Sequence, residues 1–177
     1  FLPDATPEAG VPIDWLLPGL FTPDCALRFS IHALVIETPS RRIIVDTCVG
    51  NDKPRGVFPI WDRLHTAFLR DLDAAGFPRE SIDTVLCTHL HLDHVGWNTM
   101  LVDDRWLPTF PNARYLIERT EFRHTNESAS DARIEPWLRE MNATVMADSV
   151  RPVFEAGLVD LVAPDHRICA EVSLVAT

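Results

Sequence analysis

Apolar residues alternate along Phe29, Ile31, Ala33 and Val35, then close up into the uninterrupted run Ile43-Ile44-Val45. The first pattern predicts a strand over 27–37 with one buried face, and the second a central strand over 42–47 covered on both faces. Thr38-Pro39-Ser40 supplies the turn between them. From 60 to 75 the positions Trp61, Leu64, Phe68, Leu72 and Ala75 recur every three or four residues, which predicts an amphipathic helix stopped by Gly76. Short β-rich runs over 82–87 and 113–117 read as further strands. Helices are predicted over 118–124, 135–146 and 149–156, with the polar stretch 125–131 as a mobile connection. Closely spaced strands over 158–162, 167–169 and 172–176 complete the chain. Residues 1–27 are proline-rich and lack a period, so they read as an extended arm. Residues 48–59, with two glycines and two prolines, must be loop.

Against this pattern one segment stands apart. His89-Leu90-His91-Leu92-Asp93-His94 places three histidines and an aspartate within six residues, directly after the 82–87 strand. Imidazole and carboxylate are, beside thiolate, the usual ligands of zinc. In extended backbone the i, i+2 spacing of His89 and His91 turns both rings to the same side. Asp93 and His94 follow as the chain turns and can diverge toward a second ion. Four ligands on one ion would leave no open position for water, so two ions sharing the set is the natural solution. The competing reading is a solvated turn that happens to be rich in histidine. Chance would assemble these residues in roughly one chain in a thousand, and the preceding strand and following Gly96 suit a ligand loop.

The neighbours carry weaker signals. Asp46 is a candidate to orient a ligand histidine, or simply to cap the turn into Cys48-Val49-Gly50. Cys48 reads as a buried thiol in preference to a metal ligand. His65, beside the apolar stripe of the 60–75 helix, reads as a packed core or rim residue, and Trp97 as packing in preference to a pocket wall.

Length and charge narrow the function. The 177 residues suffice for one domain with a real core, and no apolar run approaches the ~18 residues that cross a bilayer. The four cysteines are scattered, so a disulfide framework is not expected. Net charge is −10 and there is no Lys/Arg cluster, which disfavours a nucleic-acid partner. A titration with RNA or DNA near physiological salt should therefore detect no binding; sub-micromolar affinity that weakens steeply as salt rises would contradict this.

The run Thr88-His-Leu-His-Leu-Asp-His-Val-Gly96 resembles the H-x-H-x-D-H zinc loop of the metallo-β-lactamase superfamily. Ile44-Val-Asp-Thr47 followed by Gly50-Asn51 resembles that superfamily's first strand-and-turn motif. The extended form Asp93-His-Val-Gly-Trp-Asn98, with Gly50-Asn-Asp-Lys-Pro-Arg55 upstream, looks closest to the lactonase and methyl-parathion-hydrolase-like branch. The resemblance implies an α/β fold, an αββα sandwich, of which residues 1–177 supply the N-terminal half and the start of the second half. It implies that His89 and His91 bind the first metal and Asp93 and His94 the second, both Zn2+. There are two departures: Cys48 stands where the family commonly has glycine, and no Pro-Gly-His turn matches the family's next ligand. A single, incomplete domain is the expectation, cut one step before its third ligand.

The resemblance further implies hydrolysis of a lactone or other ester, less so a phosphotriester, through a hydroxide held between the metals. Asp93 is the catalytic candidate, holding the nucleophile and passing its proton to the leaving group. A homodimer is a possible assembly, membrane association is not expected, and a cytoplasmic location is expected, with export left open by the missing initiator Met. Two rivals stand beside this reading: a catalytically silent binding domain, separable by metal content, and a persulfide-dioxygenase-type oxidoreductase, separable by iron.

Overall fold

The apolar runs become the centre of a mixed sheet because they can bury side chains on both faces. In the computed structural model, residues 28–176 are described, and seven strands form among them. They are β1 (Leu34–Glu37), β2 (Arg42–Val45), β3 (Thr84–Cys87), β4 (Thr99–Val102), β5 (Arg105–Pro108), β6 (Arg114–Glu118) and β7 (Val159–Val162). The main sheet runs β1-β2-β3-β6-β7, and β4 and β5 make a separate hairpin. β1 is antiparallel to β2, while every other neighbouring pair of the main sheet is parallel. From His32 onward the chain forms one compact unit.

Register divides the sheet into two faces. Val35, Ile44, Val85, Tyr115 and Val159 pair in one row across all five strands and face the larger core. Ile43, Val45, Leu86 and Leu116 point the other way, where Val162, Ile168, Val172 and Leu174 pack on them. Ile43, Ile44, Val85 and Tyr115 are fully buried. Each such aliphatic side chain stabilises the fold by about 1.5–3 kcal/mol.

The helices are α1 (Phe68–Ala74), α2 (Arg119–Ser128), α3 (Pro136–Val145) and α4 (Arg151–Glu155). Between α3 and α4 the chain makes a π-helical turn, Met146–Val150. Pro152 follows in the first turn of α4 and has no N–H to offer the Asp148 carbonyl four residues back. Helix α2 starts without a connecting loop: Glu118 ends β6 and its carboxylate accepts the Glu121 N–H (2.8 Å).

Several expectations are corrected. The helix expected over 60–75 is only α1, preceded by a 3-10 turn at Pro59–Trp61. Side chains hold the intervening backbone elsewhere: Asn51 accepts from the Thr66 N–H (2.7 Å) and Asp62 from the Arg55 N–H (2.5 Å). His65 thus lies outside the helix, largely exposed, 3.5 Å from Asp52. The stretch expected to be mobile over 125–131 is helical through Ser128, with Thr125 and Ser128 buried. The β4–β5 hairpin was not anticipated; Asp103 and Asp104, both at positive φ (48° and 58°), form its two-residue turn. The strands expected over 167–169 and 172–176 reduce to a single bridge, Arg167 to Ser173. The first strand begins only at Leu34. The arm expected over 1–27 lies outside the described residues.

Candidate metal centre

Because β2 and β3 run parallel side by side, both end at the same edge of the sheet. There the turn after β2 and the loop after β3 are stitched together by backbone. The Thr47 N–H donates to the His94 carbonyl (2.6 Å), the Gly96 N–H to Cys48 (2.7 Å) and the Trp97 N–H to Thr47 (2.9 Å). Asp46 and Cys48 both take left-handed conformations (φ 55° and 52°). Cys48 therefore holds, at some steric cost, a backbone shape that glycine would adopt freely.

Asp46 joins the two segments through its carboxylate. Oδ1 accepts the Thr88 N–H (2.8 Å), and Oδ2 lies 2.8 Å from the Thr88 hydroxyl and 2.7 Å from Nδ1 of His94. Of the two roles open to Asp46, the structure thus displays the orienting one. With Nδ1 engaged, His94 is left with Nε2, 3.6 Å from Asp93 Oδ2. Burial pushes the Asp46 carboxyl upward, but its bonds to His94 and Thr88 outweigh this and hold it below the ordinary range. The same hydrogen bond raises His94 above the usual imidazole value.

The predicted residues converge in pairs. The His89 ring centroid lies 4.6 Å from that of His91 and 4.0 Å from that of His94. Burial first, then the neighbouring His94 and His91, lowers the His89 pKa and favours the neutral, metal-competent ring. Three imidazoles and a carboxylate at one strand end, one ring anchored from behind, suit a divalent metal in donor chemistry. Among the described residues, no three or more His, Cys, Asp or Glu side chains stand in a geometry that would hold an ion. The fit thus extends to donor type and pairwise approach, and a complete ligand shell is not preassembled.

Around this centre the remaining signals resolve. Burial and the Asp46 and Asp93 carboxylates push the Cys48 thiol up to about 11, in keeping with a protonated thiol. Trp97 is buried and stacks on Phe68 (5.3 Å, 14°), so it is packing. Asn98, fully buried, accepts from the Thr47 hydroxyl (3.0 Å) and donates to Cys87 Sγ (3.4 Å), bracing both turns.

Two features escaped sequence reasoning. Glu121 of α2 accepts the Leu90 N–H (2.8 Å) inside the histidine loop. Lys53, Arg55 and Asp148 form a buried charge cluster. Arg55 grips Asp148 with two bonds (2.7 and 3.1 Å), while Lys53 Nζ donates to Thr99 (2.5 Å) and to the Asp148 carbonyl (2.8 Å) and lies 3.5 Å from the centre of the Trp106 ring. The charged run from Asp52 to Arg55 was visible, but its partner lies 93 positions beyond Arg55.

The family model of the metallo-beta-lactamase superfamily matches residues 27–163. Among solved structures, a "probable metal-dependent hydrolase" from Staphylococcus aureus superposes with a TM-score of 0.64 at 18% identity, covering 88% of this chain and 52% of its own. AbOPH, a hydrolase of the beta lactamase superfamily, superposes at 0.62 with 21% identity, covering 84% and 48%. A dizinc quorum-quenching lactonase holding an N-acyl-homoserine product matches at 0.48 with 19% identity, covering 77% and 44%. The chain spans about half the length of these structures. With its family model matched across most of the sequence and the fold shared, the chain belongs to the metallo-beta-lactamase superfamily.

Proposed function

We propose that this chain is the metal-holding part of a hydrolase that cleaves a lactone or other carboxylic ester, with two zinc ions when its ligand set is complete. His89 and His91 would serve the first ion, Asp93 and His94 the second. The observation that carries this reading is the convergence of the His89, His91 and His94 rings beside Asp93, with Asp46 fixing the tautomer and direction of His94. Zinc, when bound, supplies a water acidified to a pKa of about 7 and Lewis acidity toward a carbonyl oxygen.

The chain's own residues do the rest. Asp46 holds the proton on Nδ1 of His94, so Nε2 presents its lone pair. Asp93, half-buried in the loop, can take a proton at Oδ2 and return it to a leaving alkoxide. The Thr88 N–H secures the other oxygen of Asp46, Oδ1, and its hydroxyl lies 3.1 Å from Nδ1 of His89. The ester class rests on the Gly50–Arg55 and Asp93–Asn98 resemblances.

In the complete protein, His91→Ala and Asp93→Ala should each lose bound zinc and ester hydrolysis together. The loss should exceed the roughly hundredfold that changes to residues behind the ligands cost. Metal content by elemental analysis and turnover of a panel of lactones and aryl esters provide the check. A His91→Ala protein with full metal content and unchanged turnover would sink the assignment.

A further inference from the structure

The parallel pairing of β3 and β6 has a local result at the histidine loop. Cys87 pairs with Ile117, so the residues just past each strand end run on side by side. The chain after β3 becomes the ligand loop, and the chain after β6 becomes the first turn of α2. Glu121 thereby comes under the loop, and its Oε1 accepts the N–H of Leu90 at 2.8 Å. The Leu90 side chain is fully buried in the core, while His89 before it is half-buried and His91 after it is exposed. The peptide that Glu121 holds is thus the one between the two first-ion histidines.

Glu121 is itself held. Its own N–H is bonded by Glu118, and the buried Thr125 hydroxyl lies 3.5 Å from the same Oε1. A carboxylate accepting a backbone N–H makes a charge-assisted bond, stronger than a neutral one. We infer that Glu121 is a positioning residue for metal binding, locking the backbone between His89 and His91 so that both rings face one ion. This rests on the reading that these two histidines are ligands.

The test uses the complete protein with Glu121→Ala, Glu121→Gln and Glu121→Asp, beside His91→Ala. Two quantities are read: hydrogen exchange of the Leu90 amide in metal-free protein, and cobalt(II) affinity followed by its visible absorption. Glu121→Ala should speed Leu90 exchange at least about tenfold and weaken cobalt binding about ten- to a hundredfold, the range seen when a residue supporting a ligand is lost. Glu121→Gln retains an acceptor oxygen of the same reach and should restore most of both. Glu121→Asp, one methylene short, should behave like alanine, and it carries the test if the alanine protein does not fold. Unchanged Leu90 exchange, or wild-type cobalt affinity in both Glu121→Ala and Glu121→Asp, overturns the inference. If wild type and His91→Ala take up cobalt alike, the ligand reading fails and the role of Glu121 falls with it. If they differ while the Glu121 variants match wild type, only the Glu121 assignment fails.

Discussion

Gly96→Ala should destabilise the chain by about 3 kcal/mol or more, at or beyond the upper end of what overpacking usually costs. A Cβ there would sit 1.8 Å from the Val49 carbonyl oxygen, 1.9 Å from its carbon and 2.4 Å from the Gly50 nitrogen. All three are backbone atoms, and none can swing aside as a side chain would. Moving them means breaking the bonds from the Thr47, Gly96 and Trp97 N–H groups that stitch the two turns. A Cβ on Gly50, at φ +83°, would meet the same contact from the other side, 2.7 Å from the Gly96 carbonyl carbon and oxygen. The control is Gly76→Ala, at positive φ (+90°) but with nothing within 4 Å of the added Cβ. It should cost only the left-handed penalty, about 1–2 kcal/mol. Urea unfolding of both variants decides the matter: equal losses would mean that the contact at Gly96 relaxes easily.

Asp148→Asn is the second large effect, with an expected loss of about 3–5 kcal/mol, the usual result of removing one partner from a buried ionic cluster. Lys53 and Arg55 are both buried, and Asp148 accepts two hydrogen bonds from Arg55 with Lys53 Nζ 3.7 Å from its carboxylate. Asparagine keeps the size but leaves two cations without that charge. The cluster also imposes a pH dependence. Burial, only partly opposed by Asp148, brings Lys53 down to about 7, whereas in the unfolded chain it titrates near 10.5. Between those values the unfolded state binds the extra proton, so the Lys53 contribution makes stability rise with pH, and below about 7 this dependence vanishes. From pH 7 to 8, below the ordinary thiol value of about 8.5, wild type should gain on the order of 1 kcal/mol. Lys53→Met should flatten that rise. A wild-type stability that falls over this interval, or a rise that persists without Lys53, would contradict the assignment.

Much of this architecture could be read from residue order. The runs at Ile43, Val85 and Tyr115 were strands, as expected, because side chains buried on both faces leave a continuous apolar signature. The 89–94 cluster was visible because ligand geometry demands particular residue types at fixed spacing. Failures occurred where distant or polar contacts decided the local structure. The apolar period around Trp61 and Leu64 was real, yet Asn51 and Asp62 hold that backbone out of a helix. The hairpin at Asp103-Asp104 lacks the glycine that usually marks such a turn. Glu121 looks like an ordinary helix-surface acid, and Asp148 like an acid between two predicted helices, until the fold shows what each one faces.

Pro152 casts the interior cluster in a different light. A proline is usually regarded as a place where a helix loses something, but here the missing donor leaves an acceptor to spare. The Asp148 carbonyl, denied an N–H from residue 152, receives the Lys53 ammonium and the Thr99 hydroxyl. The lysine is therefore recruited by main chain as well as by carboxylate, and its main-chain tether does not depend on which side chain occupies position 148. Arg55 has no such second attachment to that residue, so the burden of a change at 148 falls unequally on the two cations. The π-helical turn and the choice of interior cation thus become one unit, in which the imino acid sets the demand that the ammonium meets.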